Sequence, residues 1–292
     1  MEIVLQSGLE WLISLQQAGG DTAATFFKAV TFLGDQEFYL LMFPLIFWCI
    51  DTRLGVRVAV AYLISTWINV TIKELTMAPR PFDLNPAVGL IDEEGFGMPS
   101  NHAQATTMIF GVLAHHLKKP WAWAAAVILA LLVGFSRIYL GVHFPTQVIV
   151  GWVLGGLFLT VYIGFLDQIE TWVIGRSLTQ HLMYATAIAL VGSIMMPAPD
   201  IVAVLAVLWG LWCGLALLHA YEVPFSADGP LWQKVGRFIL GGIIVIGLFA
   251  GLKAIFPDAG ESLYTVFRFV RYGLIGLFVG YAAPWLFTKV GL

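Results

Sequence analysis

Residues 120–166 read PWAWAAAVILALLVGFSRIYLGVHFPTQVIVGWVLGGLFLTVYIGFL and consist of two apolar blocks around a short polar segment. A transmembrane α-helix needs about 20 mainly apolar residues. The blocks 121–135 and 145–166 approach or reach that length, and the segment between them holds Arg137 and His143. We therefore predict two membrane-spanning helices joined by a turn that carries ionisable side chains.

The whole chain repeats this apolar pattern. Of its 292 residues, 59% are hydrophobic and 11% are charged, with a mean hydropathy of +0.86, whereas soluble domains carry about 25% charged residues. We predict an all-α fold, a polytopic transmembrane helix bundle. The segments 3–15 and 167–180 are amphipathic and are expected to lie along the membrane surface. The predicted spans, about nine in number, are 38–50, 54–72, 103–117, 121–135, 145–166, 182–196, 201–221, 238–256 and 272–289.

The charge and the cysteines exclude some classes of protein, and the glycine spacing predicts how the helices pack. The net charge of −3 leaves no basic face for nucleic acid. Cys49 and Cys213 lie inside apolar blocks and form no disulfide framework. The start, Met1-Glu2-Ile3, lacks a basic n-region and no small-residue cleavage site follows, so we expect no cleaved signal peptide. The pairs 151/155 and 276/280 are glycines at four-residue spacing, which predicts close helix packing within the chain. The sequence does not fix the oligomeric state.

The distribution of Lys and Arg predicts the orientation in the bilayer. With nine alternating spans, eight basic residues fall on the side of the 118–119 turn and seven on the other side. Three of those seven, Lys73, Arg80 and Arg137, are candidates for chemistry. Without these three, eight basic residues lie on the side of the 118–119 turn and four on the other side. The positive-inside rule therefore places the side of the 118–119 turn in the cytoplasm. Residues 76–98 and 136–144 are then expected to face the periplasm, the exterior or a lumen.

Three polar segments at the ends of apolar blocks carry the candidate chemistry. Lys73 to Pro81 has the pattern K-x6-R-P, Pro99-Ser100-Asn101-His102 precedes a block, and Ser136-Arg137 is followed by His143. Ionisable groups at membrane depth are costly and usually functional. The segments supply three cations, and the planar fork of Arg matches the oxygens of a phosphate.

The second of these segments begins the predicted helix from Ala103. Ser100 or Asn101 is a suitable N-cap, and the N–H groups at a helix start bind anions. We infer a phosphate site in which this helix start and the three cations stabilise the charge of phosphoryl transfer. Of His102 and His143, one would attack phosphorus and the other would protonate the leaving oxygen. No Asp-rich cluster accompanies them, so we expect a reaction without metal or other cofactor.

These segments resemble the motifs KX6RP, PSGH and SRX5HX3D of the type 2 phosphatidic acid phosphatase superfamily. Residues 96–103 (FGMPSNHA) and 136–143 (SRIYLGVH) are especially similar, and the resemblance covers about residues 30–166. It implies a six-helix core with the site near the outer interface, His143 as the nucleophile that forms a phosphohistidine, and His102 as the general acid. It also implies that the phosphoryl group is bound by Lys73, Arg80, Ser100 and Arg137.

The chain departs from these motifs at two positions. Asn101 replaces a Gly, and Asn is the next best residue for a left-handed turn, so we keep it among the phosphate-binding residues. Gln147 replaces the final Asp, one helical turn after His143, where its carbonyl accepts the same N–H without bringing charge. We therefore expect a slower phosphatase, in which Gln147→Asp raises turnover. Alternatively, a carboxylate is borrowed from the facing loop, at Asp83, Glu93 or Glu94.

The predicted function is hydrolysis of a lipid phosphomonoester or diphosphate on the non-cytoplasmic side of a plasma, inner or internal membrane. Candidate substrates are phosphatidate-like lipids, sphingoid-base phosphates and polyprenyl diphosphates. A lipid phosphotransferase and a degenerate lipid-binding or transport protein remain as alternatives. Residues 1–166 are predicted to form the phosphatase core, with an interfacial N-terminal helix and five spans. Residues 167–292 are predicted to add a C-terminal bundle of about four spans with no assigned role.

Overall fold

The computed structural model describes residues 2–292, with side chains from Gln6 onward. It is 82% helical and has no strand in this part of the chain, which confirms the predicted all-α membrane fold. Short 3₁₀ segments lie at Phe32–Gly34 and Pro86–Val88, and a π-helical turn lies at Phe278–Ala282. The α-helices are α1 (Glu2–Thr31), α2 (Gln36–Cys49), α3 (Thr52–Thr76), α4 (Pro81–Leu84), α5 (Asn101–Leu117), α6 (Pro120–Tyr139), α7 (Pro145–Ile174), α8 (Leu178–Met195), α9 (Pro199–Ala220), α10 (Leu231–Ile255), α11 (Tyr264–Leu277) and α12 (Ala283–Val290).

The chain forms two compact units. The first comprises the chain up to Leu40 together with Ile64–Gly164, and the second comprises Leu41–Leu63 and Phe165–Leu292. Their boundaries fall inside α2, α3 and α7. The predicted division of roles between residues 1–166 and 167–292 stays a prediction, because it concerns function and not compactness.

Each of the nine predicted spans corresponds to a helical segment, but fewer meet the requirements for crossing a bilayer. Within residues 2–292, seven helices are long and apolar enough, or eight if the bent pair α1 and α2 is one span. The difference lies in two short helices: α2 has 14 residues and α5 has 17. At 1.5 Å per residue, α5 is about 25 Å long, just short of the roughly 30 Å hydrocarbon core.

The amphipathic segment predicted over 167–180 is not a separate helix. Residues 167–174 continue α7 to Ile174, and α8 begins at Leu178 after a short break. The segment 3–15 is likewise the first part of a longer helix, α1, which has a kink at Gly20 with φ of 59°. A glycine accepts this backbone angle without the Cβ clash of other residues.

In the first unit, α1 packs against the end of α6. Leu12 is buried beside Val88 and Phe144. The Tyr139 hydroxyl donates to the Gly20 carbonyl at 2.9 Å, and the Gln16 amide donates to the Tyr139 carbonyl at 2.8 Å. These contacts hold the α6–α7 turn, in which His143 lies.

Close packing between α5 and α7 positions the other histidine segment. A Cβ on Gly151 would lie 2.6 Å from the Ser100 carbonyl oxygen, and one on Gly155 would lie 2.8 Å from that of Gln104. Only glycine permits such a backbone approach. The prediction that this glycine pair packs within the chain is therefore confirmed.

The second unit is built in the same way around α9 and α11. A Cβ on Gly210 would lie 2.1 Å from the Gly273 carbonyl oxygen, and one on Gly276 would lie 2.4 Å from that of Val207. The predicted pair Gly276 and Gly280 is thus an intrachain helix contact as well. His181, which lies at the start of α8, is buried and accepts a hydrogen bond from Trp212 at 3.0 Å.

Candidate active site

All the site residues predicted from the sequence lie in the first unit, at helix ends. Lys73 is in the last turn of α3, which stops at Met77 with a left-handed φ of 44°. Arg80 precedes α4, and its backbone N–H is capped by the Asp83 carboxylate at 2.7 Å. The remaining residues begin α5, end α6, form the α6–α7 turn and begin α7; they are Ser100, Asn101, His102, Arg137, His143 and Gln147.

The guanidinium of Arg80 is completely buried and surrounded by acceptors. Its Nε donates to the Gly95 carbonyl at 2.8 Å, Nη2 donates to the Glu94 carbonyl at 2.9 Å, and Nη1 donates to the Val142 carbonyl at 3.0 Å. Nη1 also lies 3.2 Å from Nε2 of His143. A cation that is shielded from solvent therefore lies directly beside the imidazole of His143.

Arg137 is 1% exposed and forms the second buried cation. Its Nη1 donates to the Thr31 hydroxyl at 2.8 Å, Nη2 pairs with the Glu93 carboxylate, and Nε is buried with no hydrogen-bond partner. The other Glu93 oxygen lies 3.6 Å from Nη2 of Arg80. One carboxylate thus bridges the two arginines that the motif resemblance assigns to phosphate binding.

The hydrogen bonds of His143 define its tautomer. Arg carries only donors, so the Nε2 beside Arg80 must be the unprotonated nitrogen. Its Nδ1 lies 3.1 Å from Oε1 of Gln147 and therefore carries the proton. His143 is consequently a neutral imidazole whose Nε2 lone pair points toward a cation.

Charge and burial favour the same state of His143, which lies in the turn between α6 and α7 and is 1% exposed. Burial lowers the pKa of His143 well below its ordinary value, and the positive charges of Arg80, Lys73 and Arg137 lower it further. Lys73 is therefore close enough for the charge of its ammonium group to act on the imidazole of His143. The structure therefore brings the three predicted cations together around His143.

Gln147 uses both ends of its amide. Its Oε1 accepts from His143 Nδ1 and from the Phe144 backbone N–H, each at 3.1 Å, and its Nε2 donates to the Pro79 carbonyl at 2.8 Å. These backbone partners fix which end is oxygen. A carboxylate cannot donate to Pro79, and Asp is one methylene shorter. The geometry thus removes the basis for expecting Gln147→Asp to raise turnover.

None of the three loop carboxylates contacts His143 in the described part of the chain. Asp83 caps Arg80, Glu93 pairs with the two arginines, and Glu94 contributes its carbonyl. The idea that one of them replaces the missing Asp at His143 is therefore wrong. The Glu93 carboxylate pairs instead with two buried guanidinium groups, which attract it more strongly than one neutral imidazole does.

His102 has a charged partner that sequence reasoning missed. Its Nε2 lies 2.8 Å from Oδ1 of Asp35, in the break between α1 and α2. Gly34 packs directly on the ring, because a Cβ there would lie 2.4 Å from Cδ2 of His102. The signal in the sequence was an acidic residue, Asp35, at the end of an apolar block on the predicted outer side.

The start of α5 agrees with the predicted cap but not with the predicted backbone at Asn101. Ser100 is the N-cap, and its hydroxyl accepts from the Ala103 N–H at 3.5 Å. Asn101 is the first helical residue, and its φ is not positive. The motif glycine is therefore not needed here for a left-handed turn. Asn101 Oδ1 is buried without a hydrogen-bond partner and adds a polar acceptor at this helix start.

Residues 85–99, here called the covering loop, close over these groups. The Leu90 N–H donates to the Leu140 carbonyl at 3.0 Å, and the Gly97 N–H donates to the Ala78 carbonyl at 2.8 Å. Gly141, with φ of 74°, lies so close to the loop that a Cβ would lie 1.8 Å from the Val88 carbonyl oxygen. Arg80, Arg137 and His143 are consequently shielded from solvent, whereas Lys73 is partly exposed.

The donor set of the site fits an anion better than a metal. Within residues 2–292, no group of three or more His, Cys, Asp or Glu side chains is arranged to hold a metal ion. The site instead combines guanidinium groups, an ammonium group and a helix start, which are donors to phosphate oxygens. The arrangement suits the binding and transfer of a phosphoryl group.

Family comparison agrees with this chemistry. The model of the PAP2 superfamily matches residues 54–170, and that of the PAP2 superfamily phosphatase transmembrane extension matches residues 202–292. The chain therefore belongs to the PAP2 superfamily, and the family predicted from the motifs is confirmed. It is a multi-pass membrane protein of the phosphatase branch that carries this extension.

Individual relatives have different named activities. Lipid phosphate phosphatase delta of Arabidopsis thaliana is 22% identical over 80% of this chain, which spans 63% of that protein's length. Phosphatidylglycerophosphatase B of Bacillus subtilis is 31% identical over 48% of this chain and 74% of its own. Glucose-6-phosphatase 3 of Mus musculus is 27% identical over 88% of each chain.

A solved structure agrees with the fold. The transmembrane PAP2-type phosphatidylglycerolphosphate phosphatase of Bacillus subtilis superposes with a TM-score of 0.50 and 24% identity. The match covers 58% of this chain and 89% of the other. At this level of identity, the likeness concerns the fold alone.

Proposed function

We propose that this chain is a membrane lipid phosphatase that transfers the phosphoryl group of a lipid phosphomonoester or diphosphate to His143 and then to water. The observation that carries this proposal is the neutral tautomer of His143, whose Nε2 lone pair faces the Arg80 guanidinium. A neutral nucleophile beside fixed cations is what attack on an anionic phosphorus centre requires.

The first step forms the bond between Nε2 of His143 and phosphorus while the bond from phosphorus to the leaving oxygen breaks. His102 gives its proton to that oxygen, so the lipid leaves as an alcohol or, from a diphosphate, as a lipid monophosphate. In the second step, water attacks phosphorus and His102 takes the proton of that water. The phosphorus–nitrogen bond then breaks, which releases inorganic phosphate and restores neutral His143.

The three cations stabilise the charge on the transferred group. We propose that Lys73, Arg80 and Arg137 bind its oxygens together with the Ser100 and Asn101 end of α5. Because these cations supply the positive charge that metals supply in other phosphoryl-transfer enzymes, no metal ion is required. We place the site on the non-cytoplasmic side, for which the predicted distribution of Lys and Arg is the support.

A substrate panel tests the function. Purified protein in detergent is given phosphatidate, sphingosine 1-phosphate, undecaprenyl diphosphate and glucose 6-phosphate, with and without a chelator, and released phosphate is measured. We expect release from at least one lipid and no effect of the chelator. Release from glucose 6-phosphate alone would replace the lipid substrate class by a sugar phosphate, as the name of one relative suggests. Transfer to an added alcohol without phosphate release would favour a phosphotransferase.

The Glu93 carboxylate gives a prediction about substrate affinity. It occupies the two arginines that we assign to the phosphoryl group, so the substrate must displace it. Glu93→Gln is expected to lower KM about tenfold, which corresponds to about 1.4 kcal/mol of competing attraction. The measurement is KM for the best lipid substrate. Glu94→Gln is the matched control, because that side chain is exposed. An unchanged or higher KM for Glu93→Gln would mean that the carboxylate does not compete with substrate.

A further inference from the structure

The ion pair between Asp35 and His102 joins two separate parts of the first unit. Asp35 lies in the break between α1 and α2, while His102 lies in the first turn of α5, 67 positions later in the chain. The oxygen–nitrogen distance is 2.8 Å, and both side chains are partly shielded from solvent. A direct pair at this distance, with little water around it, restricts the orientation of the imidazole.

The segment around Asp35 is built to approach the ring. Gly34 is buried against His102, and any side chain there would overlap the imidazole. Asp35 itself has an extended backbone with φ of −79° and ψ of 153°, and its N–H donates to the Phe32 carbonyl at 3.1 Å. The carboxylate therefore reaches His102 from a fixed backbone.

The charges around the two histidines differ in a way that matches two different tasks. Burial lowers the pKa of His102, and the positive charges of Lys73 and Arg80 lower it further, whereas the hydrogen bond and the charge of Asp35 raise it. His143 has the neutral Gln147 at the equivalent place. A proton donor needs a partner that stabilises its charged form, whereas a nucleophile needs its neutral form.

We propose that Asp35 is a positioning residue for the general acid. It holds the His102 imidazole in its orientation and favours its protonated form, so that the proton is available to the leaving oxygen. This inference rests on the proposed function. It places a carboxylate beside the general acid His102, whereas the family motif places a carboxylate beside the nucleophile. In the second step, the same pair stabilises the imidazolium that forms when His102 takes a proton from water.

If Asp35 positions the general acid, the loss of activity on substituting Asp35 depends on the leaving group of the substrate. A lipid alcohol is a poor leaving group and needs its oxygen protonated, whereas p-nitrophenolate leaves well without a proton. Asp35→Asn is therefore expected to lower kcat/KM, which reports the first step and not the shared hydrolysis of the phosphohistidine, at least about 30-fold on the lipid phosphate and less than about threefold on p-nitrophenyl phosphate, since general acid catalysis contributes about 10² to 10⁴. The basic limb of the pH–rate profile on the lipid is expected to move to lower pH.

The double variant separates positioning from other roles. Because Asp35 acts through His102, Asp35→Asn is expected to cause no further loss in a His102→Gln background. Glu37→Gln, an exposed carboxylate two residues further along the chain, is the matched control and should leave both substrates unaffected. Equal losses on the two substrates, an additive double variant, or faster turnover of Asp35→Asn would overturn the assignment.

A measurement without turnover distinguishes this inference from the proposed function. If the wild-type protein releases phosphate from none of the substrates, the proposed function has failed. The protonation of His102 is then followed by ¹⁵N NMR of histidine-labelled protein, with His102→Gln used to assign the signal. Loss of its proton at lower pH in Asp35→Asn than in wild type is the expected result, and an unchanged titration would overturn the role of Asp35 by itself.

Discussion

His143→Asn is expected to abolish phosphate release, with kcat lower by at least about 10⁴-fold, as when a member of a catalytic triad is removed. The variant removes Nε2, the unprotonated nitrogen beside Arg80. The Asn amide can still donate toward Gln147, so the hydrogen bond on the other side of the side chain has a replacement. The measurement is single-turnover phosphate release from the best lipid substrate.

A buried histidine elsewhere provides the control for that variant. His181 is also buried and has a ring hydrogen bond, which it accepts from Trp212. His181→Asn therefore disturbs packing to a similar degree without touching the candidate site. We expect this variant to keep turnover within about threefold of wild type, because a substitution far from the candidate site acts through the stability of the fold. Equal losses in both variants would show that packing, and not the loss of a nucleophile, explains the result.

Arg137→Lys is expected to lower kcat/KM about 10²- to 10³-fold, the usual cost of removing one donor from a transition-state binding site. The charge is kept, but the planar fork is lost, and with it the simultaneous contacts to Thr31 and Glu93. An ammonium group on a flexible stem cannot replace this geometry. The measurement is kcat/KM, together with the melting temperature of the purified variant.

The matching control for the arginine prediction is Arg53→Lys. Arg53 pairs with Glu170 in the second unit, but its side chain is 68% exposed. Exposed ion pairs contribute about 0–1 kcal/mol, so this variant should behave as wild type. If Arg137→Lys also retained full kcat/KM with an unchanged melting temperature, a phosphate-binding fork at this position would be ruled out.

The helices and the cationic centre were predictable from the sequence for physical reasons. Apolar blocks of sufficient length form helices in a bilayer because each backbone group must be satisfied internally. Arg80, Arg137 and His143 interrupt such blocks, and ionisable residues are costly there unless they have a task. These residues therefore stood out without any structure, and the structure places them in one neighbourhood.

The partners of these residues were not predictable in the same way. Asp35 meets His102 across 67 positions of chain, and such a contact depends on how helices cross rather than on a local pattern. The contact of Glu93 with the arginines depends on the path of the covering loop, which has no hydrophobic periodicity. The left-handed turn expected at Asn101 is wrong because Asn101 is already the first helical residue of α5, directly after the Ser100 cap.

Trapping of the covalent intermediate tests the central claim most directly. Protein is mixed with a lipid phosphate, quenched at alkaline pH within one turnover, digested and analysed by mass spectrometry for a phosphorylated histidine. We predict a phosphoryl group on His143 that is absent in His143→Asn and that disappears when turnover is complete. Phosphate release at the normal rate with no label on His143, or with the label on His102, would contradict the account.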